Sequence, residues 1–205
     1  MPDLMTEIRD LVLHIEPVDD AERQHRDQAL VWLAATTDVF RRRSAPVEPA
    51  RHLVAYFAVV DRDSGHVLLG DHRKSGLWLP SGGHVEPGES PVVTVRRECH
   101  EELGIEATFF DPFGEAPLFI TITETVGGGE VHTDVSLWFC LSARTTQDLR
   151  PDPREYRAVR WWTPDDIRSS DPTAFDPHMS RFLDKLEPLM APLAHPAAPS
   201  RHAAP

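Results

Sequence analysis

The stretch from Gly83 to Ile105 (GHVEPGESPVVTVRRECHEELGI) constrains this chain more than any other. It opens with a turn at Gly82-Gly83 and a polar loop closing on Pro87-Gly88-Glu89, and a helix is expected to follow. Ser90 is a good N-cap, Pro91 suits the first helical position, and Gly104 supplies a left-handed stop after Leu103. At 100° per residue, Val92, Val95, Cys99 and Leu103 fall in one narrow arc and form a buried stripe. Glu98, Glu101 and Glu102 share a second face.

That acidic face is locally unfavourable. Glu98 meets like charges three and four positions on, each pair costing roughly 0.2–0.5 kcal/mol. The three also lie toward the helix C-terminus, where the macrodipole disfavours anions. Arg97 can offset part of this by reaching Glu101 one turn on. The remaining charge calls for a cation, and violations of this kind concentrate at functional sites. Three clustered carboxylates are the oxygen ligands that Mg²⁺ or Mn²⁺ takes, usually shared with waters and substrate phosphates.

The stretch resembles the Nudix hydrolase box, Gly-x5-Glu-x7-Arg-Glu-U-x-Glu-Glu-x-Gly-U with U apolar. The match holds at every fixed position: Gly83, Glu89, Arg97, Glu98, Glu101, Glu102 and Gly104, with Cys99 and Ile105 in the apolar places. At roughly one in fifteen for each specified residue, chance gives such a match on the order of 10⁻⁸ per starting point. The resemblance extends over about residues 50–165. It implies an α/β/α sandwich with a mixed sheet, and hydrolysis of the diphosphate bridge in a nucleoside diphosphate derivative. It also implies Mg²⁺ (or Mn²⁺) held by Glu98, Glu101 and Glu102. Glu98 and Glu102 are then the direct ligands, and Glu101 or a loop carboxylate takes the water's proton. Arg97 orients the glutamates, while Gly83, Glu89 and Gly104 support the loop and helix. One departure stands out: the family commonly has Pro directly before the two glycines, where this chain has Ser81, with Pro80 one earlier.

Composition agrees with that class and excludes others. With 205 residues the chain suits one domain with extensions, and a net charge of −12 argues against a basic face for a nucleic acid polymer. Cys99 and Cys140 lie in apolar segments and read as buried free thiols, and no four-ligand Cys/His zinc spacing is present. The N-terminus lacks the pattern of a secretory leader and no run is long enough to span a membrane, so a cytoplasmic location is expected.

Residues 1–46 read as a helical extension. Leu4, Ile8, Leu11 and Ile15 recur at helical spacing up to Pro17, then Asp19 and Glu22 open a second helix as a capping-box-like pair. These helices can pack on the catalytic domain, cover its cleft or form a homodimer surface. Arg41-Arg42-Arg43 reads as a solvated run and Pro46 to Pro49 as a stiff linker. The resemblance implies a Nudix domain over residues 50–190, with C-terminal helices. Expected strands are His52–Val60 with its hairpin partner Val67–Leu69, Ala107–Phe110, Leu118–Thr123, Val135–Leu141 and Val159–Trp162. Gly127–Gly129 reads as a flexible hairpin tip. Helices should start at Thr163-Pro164 and near Asp176-Pro177, and the Ala/Pro-rich residues 191–205 read as a disordered tail.

Outside the box, Arg73 and Lys74 are candidates for phosphate contact, and His84 for buttressing the loop. His132, Asp134 and Glu155 are candidates for an extra ligand or base. Trp138, Trp161 and Trp162 read as core. A catalytically silent nucleotide-binding domain would usually lack a box glutamate, and none is missing. Allylic isomerisation of a prenyl diphosphate would need a reactive cysteine in the cleft, and neither cysteine is well placed for it. The partner expected is a small nucleotide, a nucleoside triphosphate or a nucleotide sugar.

Overall fold

A computed structural model of the chain describes residues 3–36, 38–40, 51–111, 113–127 and 130–190. The arginine run, the Pro46–Pro49 linker, most of the glycine tip and the 191–205 tail lie outside these residues. In order, the elements are α1 (Leu4–Leu13), α2 (Asp20–Ala35), β1 (Arg51–Asp61), β2 (His66–His72), β3 (Trp78–Leu79), β4 (Ser81–His84), α3 (Pro91–Leu103), β5 (Phe119–Gly127), β6 (Glu130–Ser142), β7 (Tyr156–Trp162), α4 (Pro164–Ser169) and α5 (Met179–Met190), with a 3₁₀ turn at Pro172–Ala174 between the last two helices.

β1 organises the sheet. It runs parallel to β6 from Arg51↔Thr133 to Val60↔Ser142, while its other edge is divided between two strands. Residues 54–57 pair antiparallel with β4, and residues 59–61 with β2. β2 then leads out to β3 and β7, and β6 leads to β5. Because side chains alternate across a strand, β1 feeds two cores. Leu53, Ala55, Phe57 and Val59 join residues of α1, α2 and α3 on one face. Ala58 and Val60 join Trp138, Cys140 and residues of α4 and α5 on the other. The result is the expected α/β/α sandwich around a mixed sheet.

The N-terminal helices are part of this packing, with Ile8, Val12, Ala29 and Leu33 buried in the first core. The Asp19 side chain accepts from Glu22 N–H (2.7 Å) and is also gripped in bidentate fashion by Arg181 of α5, both contacts at 2.7 Å. The Glu22 carboxylate, fully buried, accepts from Val18 N–H and from Lys185 Nζ at 2.6 Å. Among the described residues no helix is long and apolar enough to cross a membrane. Both cysteines are buried free thiols, and Trp138 is buried with its indole N–H on Thr121 Oγ1.

Two sequence expectations change. Ala107–Phe110 forms an isolated bridge, Phe109↔Leu141, because the backbone turns back at once: Phe113 and Gly114 N–H both reach the Phe110 carbonyl. Gly82-Gly83 is strand backbone in β4, since β1 offers ladder partners to all four residues from Ser81 to His84.

Candidate active site

The helix that carries the box is capped as its sequence requires. Ser90 Oγ accepts from Val93 N–H, Pro91 takes the first position, and Gly104 stands at φ 67°. Thr94, Val95, Cys99, Glu102 and Leu103 are buried, so the helix also buries one of its own carboxylates. α3 packs against β4, and Gly83 sets the distance between them. A Cβ on Gly83 would lie 2.0 Å from Glu98 Oε1, so the Glu98 carboxylate occupies the space a side chain would need. Gly82 N–H donates to Glu102 Oε2 at 3.0 Å.

Arg97 is held in place by carboxylates. Its Nε and Nη2 donate to the two oxygens of Glu89 at 2.8 and 2.9 Å, and its Nη1 to Glu98 Oε1 at 2.6 Å. Glu101, the partner expected from helix spacing, is a longer third contact at 3.4 Å. The two-point grip from Glu89, eight residues earlier on the loop, is the stronger geometry. Thr94 Oγ1 also donates to Glu89. The Arg97 hydrogen bonds hold the Glu89 carboxyl below its usual range, despite burial.

Glu98 and Glu102 behave in the opposite way. Burial pushes the Glu98 carboxyl up, with the charges of Glu101 and Glu89 adding to it, although Arg97 pulls the other way. Burial pushes Glu102 up to about 7, and the charge of Glu98 adds to the shift, against the hydrogen bonds from Tyr156 and Gly82. Two neighbouring carboxylates are thus taken out of water, and the one arginine on Glu98 is already shared with Glu89. An all-oxygen donor pair with excess negative charge fits a hard divalent cation. Glu101 is more than half exposed on the same helix.

Sequence reading missed Tyr156. Its hydroxyl donates to Glu102 Oε2 at 2.6 Å and lies 2.9 Å from Ser81 Oγ, so the residue standing where the family commonly has proline belongs to the same network. The ring lies on Gly70 of β2, where a Cβ would come within 2.3 Å of it. No spacing links Tyr156 to the box; only the β2–β7 register, with its irregularity between Gly70 and His72, brings it there. Tyr156→Phe should raise the Glu102 pKa further above its present value, because the hydroxyl stabilises the charged form. The acidic limb of the pH–rate profile should then move to higher pH, and an unchanged limb would count against this coupling.

The remaining candidates divide into two groups. Arg73 Nε donates to the carbonyls of Pro153 (2.6 Å) and Tyr156 (3.2 Å), so it staples β7's approach to β2. Lys74 is exposed, 3.8 Å from Glu155, and Glu155 also faces His72 at 3.6 Å. His84, His132 and Asp134 come together instead, joined by His52, which the sequence had not singled out.

Comparison with known proteins agrees with the fold. A stretch of 117 residues is 31% identical to the "NAD-capped RNA hydrolase NudC" of Vibrio vulnificus, covering 56% of this chain and 40% of that protein. A 55-residue stretch is 47% identical to the "CTP pyrophosphohydrolase" of Escherichia coli, covering 25% of this chain and 40% of that one. The chain thus spans less than half the length of these curated relatives. Among solved structures, the MutT protein from Methanosarcina mazei Go1 superposes with a TM-score of 0.55 at 20% identity. That alignment covers 70% of this chain and 98% of the other, a likeness of fold. The NUDIX domain model matches residues 51–186, the sheet and box helix included, and the chain therefore belongs to the Nudix family of hydrolases.

Proposed function

We propose that this chain is a divalent-metal-dependent pyrophosphohydrolase that cleaves the diphosphate linkage of a small nucleoside diphosphate derivative, a nucleoside triphosphate or a nucleotide sugar. The observation that carries this reading is the buried Glu98–Glu102 pair beside the Gly82-Gly83 backbone, with Glu102 pushed up to about 7. Glu98 and Glu102 would hold Mg²⁺ or Mn²⁺, with Glu101 completing the set from the exposed side. When bound, such an ion neutralises phosphoryl oxygens and lowers the pKa of bound water.

The chain's own residues supply the rest. Arg97, held by Glu89 and Glu98, fixes the carboxylates and has no free edge for substrate. Gly82 N–H and the Tyr156 hydroxyl orient Glu102. Glu101 is the exposed carboxylate able to accept the attacking water's proton. In-line attack at phosphorus depends on this kind of positioning and charge neutralisation more than on covalent chemistry. The activities in the relatives' names, on NAD-capped RNA and on CTP, support a nucleotide-derived substrate. The net charge of −12 favours a free nucleotide over a polymer, and the buried free thiols favour a cytoplasmic setting.

A panel of nucleoside triphosphates, nucleotide sugars and dinucleoside polyphosphates tests the reading, with released monophosphate or pyrophosphate scored in Mg²⁺. Turnover should disappear in chelator and return with Mg²⁺ or Mn²⁺. Turnover that persists in chelator, or no turnover of any compound with either ion, would overturn it.

A further inference from the structure

On the face of the sheet opposite the box helix, four side chains converge that the glutamate site does not use. His52 on β1 pairs in register with Asp134 on β6, and His84 on β4 pairs with Val54, two residues along β1. His132 precedes Asp134 by two. Side-chain alternation therefore puts all four on one face, at one end of three adjacent strands. Gly83, next to His84, faces the other way, where its side-chain space is filled by Glu98. The two constellations are thus neighbours on opposite faces of β4.

The geometry is that of a ligand set. One donor atom from each of the four residues lies within 4.8 Å of every other. The His52 ring centroid is 5.4 Å from those of His84 and His132, and the last two are 6.2 Å apart. Asp134 stands between two imidazoles, Oδ1 3.5 Å from His84 Nε2 and Oδ2 3.5 Å from His132 Nε2. A direct histidine–carboxylate hydrogen bond would be about 2.7–3.2 Å, so neither contact is one. Ligands bound at about 2.0–2.1 Å in a tetrahedron stand roughly 3.4 Å apart, close to both distances. His84 Nε2 is buried and makes no hydrogen bond. His52 is 6% exposed, so the floor of the group is shielded from water.

We propose that His52, His84, His132 and Asp134 form a second metal site, selective for a borderline transition ion of the Zn²⁺ class over Mg²⁺. Three imidazole nitrogens and one carboxylate oxygen are the donors such ions prefer, whereas Mg²⁺ takes oxygen and keeps its waters. An ion there ties β4, β1 and β6 together. It also anchors the backbone of His84, whose carbonyl receives Arg97 Nη2 at 3.4 Å, and through it the glycine strand whose Gly82 N–H donates to Glu102. The site braces the catalytic loop, and its occupancy does not depend on the glutamates.

The test uses the untagged full chain, stripped with chelator and titrated with Co²⁺ as a spectroscopic probe, then with Zn²⁺ in competition. One equivalent of Co²⁺ should bind with visible d–d bands of four-coordinate intensity, be displaced by Zn²⁺, and be unaffected by excess Mg²⁺. The bands should persist in the Glu98→Gln, Glu102→Gln double variant. They should be lost in His132→Asn and in Asp134→Asn, with affinity falling more than ~100-fold. Far-UV circular dichroism and melting identify folded variants, and His84→Asn serves as a replacement if either fails to fold. Bands that survive in the folded ligand variants, bands that vanish only in the glutamate variant, or no saturable Co²⁺ binding by the wild type would each overturn the proposal.

Discussion

Glu102→Gln should lower kcat by on the order of 10³-fold or more while leaving the fold intact. The substitution keeps the shape of the side chain and an oxygen that still accepts from Gly82 N–H and from the Tyr156 hydroxyl. What it removes is the charge, and near-normal turnover would remove the role assigned to Glu102. The same variant has a second readout in the ion-free protein. Glu102 titrates at about 7 in the folded chain against 4.5 ordinarily, chiefly because burial disfavours its charged form. The folded state therefore holds more protons than the unfolded one between those values, so stability from this group is full below 4.5 and is lost as pH rises through 7. At pH 8 in chelator the loss is on the order of 3 kcal/mol, and Glu102→Gln should be the more stable protein. Thermal melts from pH 5 to 8, with chelator and with Mg²⁺, measure both effects. The wild type should lose its melting temperature across that range only without the ion. A chelated wild type whose melting is flat with pH would contradict the burial of this charge.

The two adjacent glycines should fail in different ways when replaced by alanine. Gly82 sits at φ 143°, a conformation that L residues rarely adopt. Its Cβ would lie 2.3 Å from the Ala55 carbonyl oxygen and 2.8 Å from Tyr56 Cα, both backbone atoms of the central strand. Neither can move without disturbing the β1 ladder, so Gly82→Ala should destabilise the protein by roughly 2–5 kcal/mol. At Gly83 the obstacle is the tip of Glu98, which can rotate away. Gly83→Ala should keep most of its stability and lose ~10²-fold in kcat, the usual cost of misplacing a reacting group by an ångström. Denaturant melts and kinetics on the two variants separate these outcomes. Equal stability losses would mean that Glu98 is as fixed as the backbone.

Local signals carried the box helix. Its caps, its left-handed stop and its acidic face are each set by residues within one or two turns, and they could be read before any contact was known. The pairing of Asp19 with Glu22 was visible for the same reason, yet the destination of the Glu22 carboxylate was not, because Lys185 is 163 positions away. Tyr156 was missed on the same grounds: its place beside Glu102 depends on a strand register with an irregularity that no pattern encodes. Helix spacing gave Arg97 to Glu101, a contact present at 3.4 Å, and the loop added Glu89 in a shorter two-point grip. The Ala107–Phe110 segment has the composition of a strand, but an immediate turn leaves it a single bridge. His84, His132 and Asp134 were noted singly. Their convergence on His52 required knowing that β1 runs parallel to β6 and antiparallel to β4.

The contacts of Asp19 and Glu22 with Arg181 and Lys185 bear on how the molecule is made. A ribosome delivers the acidic partners first and their cations some 160 residues later. Until then the Glu22 carboxylate lacks the Lys185 charge that accompanies it into the interior, and burying it alone is strongly unfavourable. Docking of the leading helices should therefore be completed only once α5 has been synthesised.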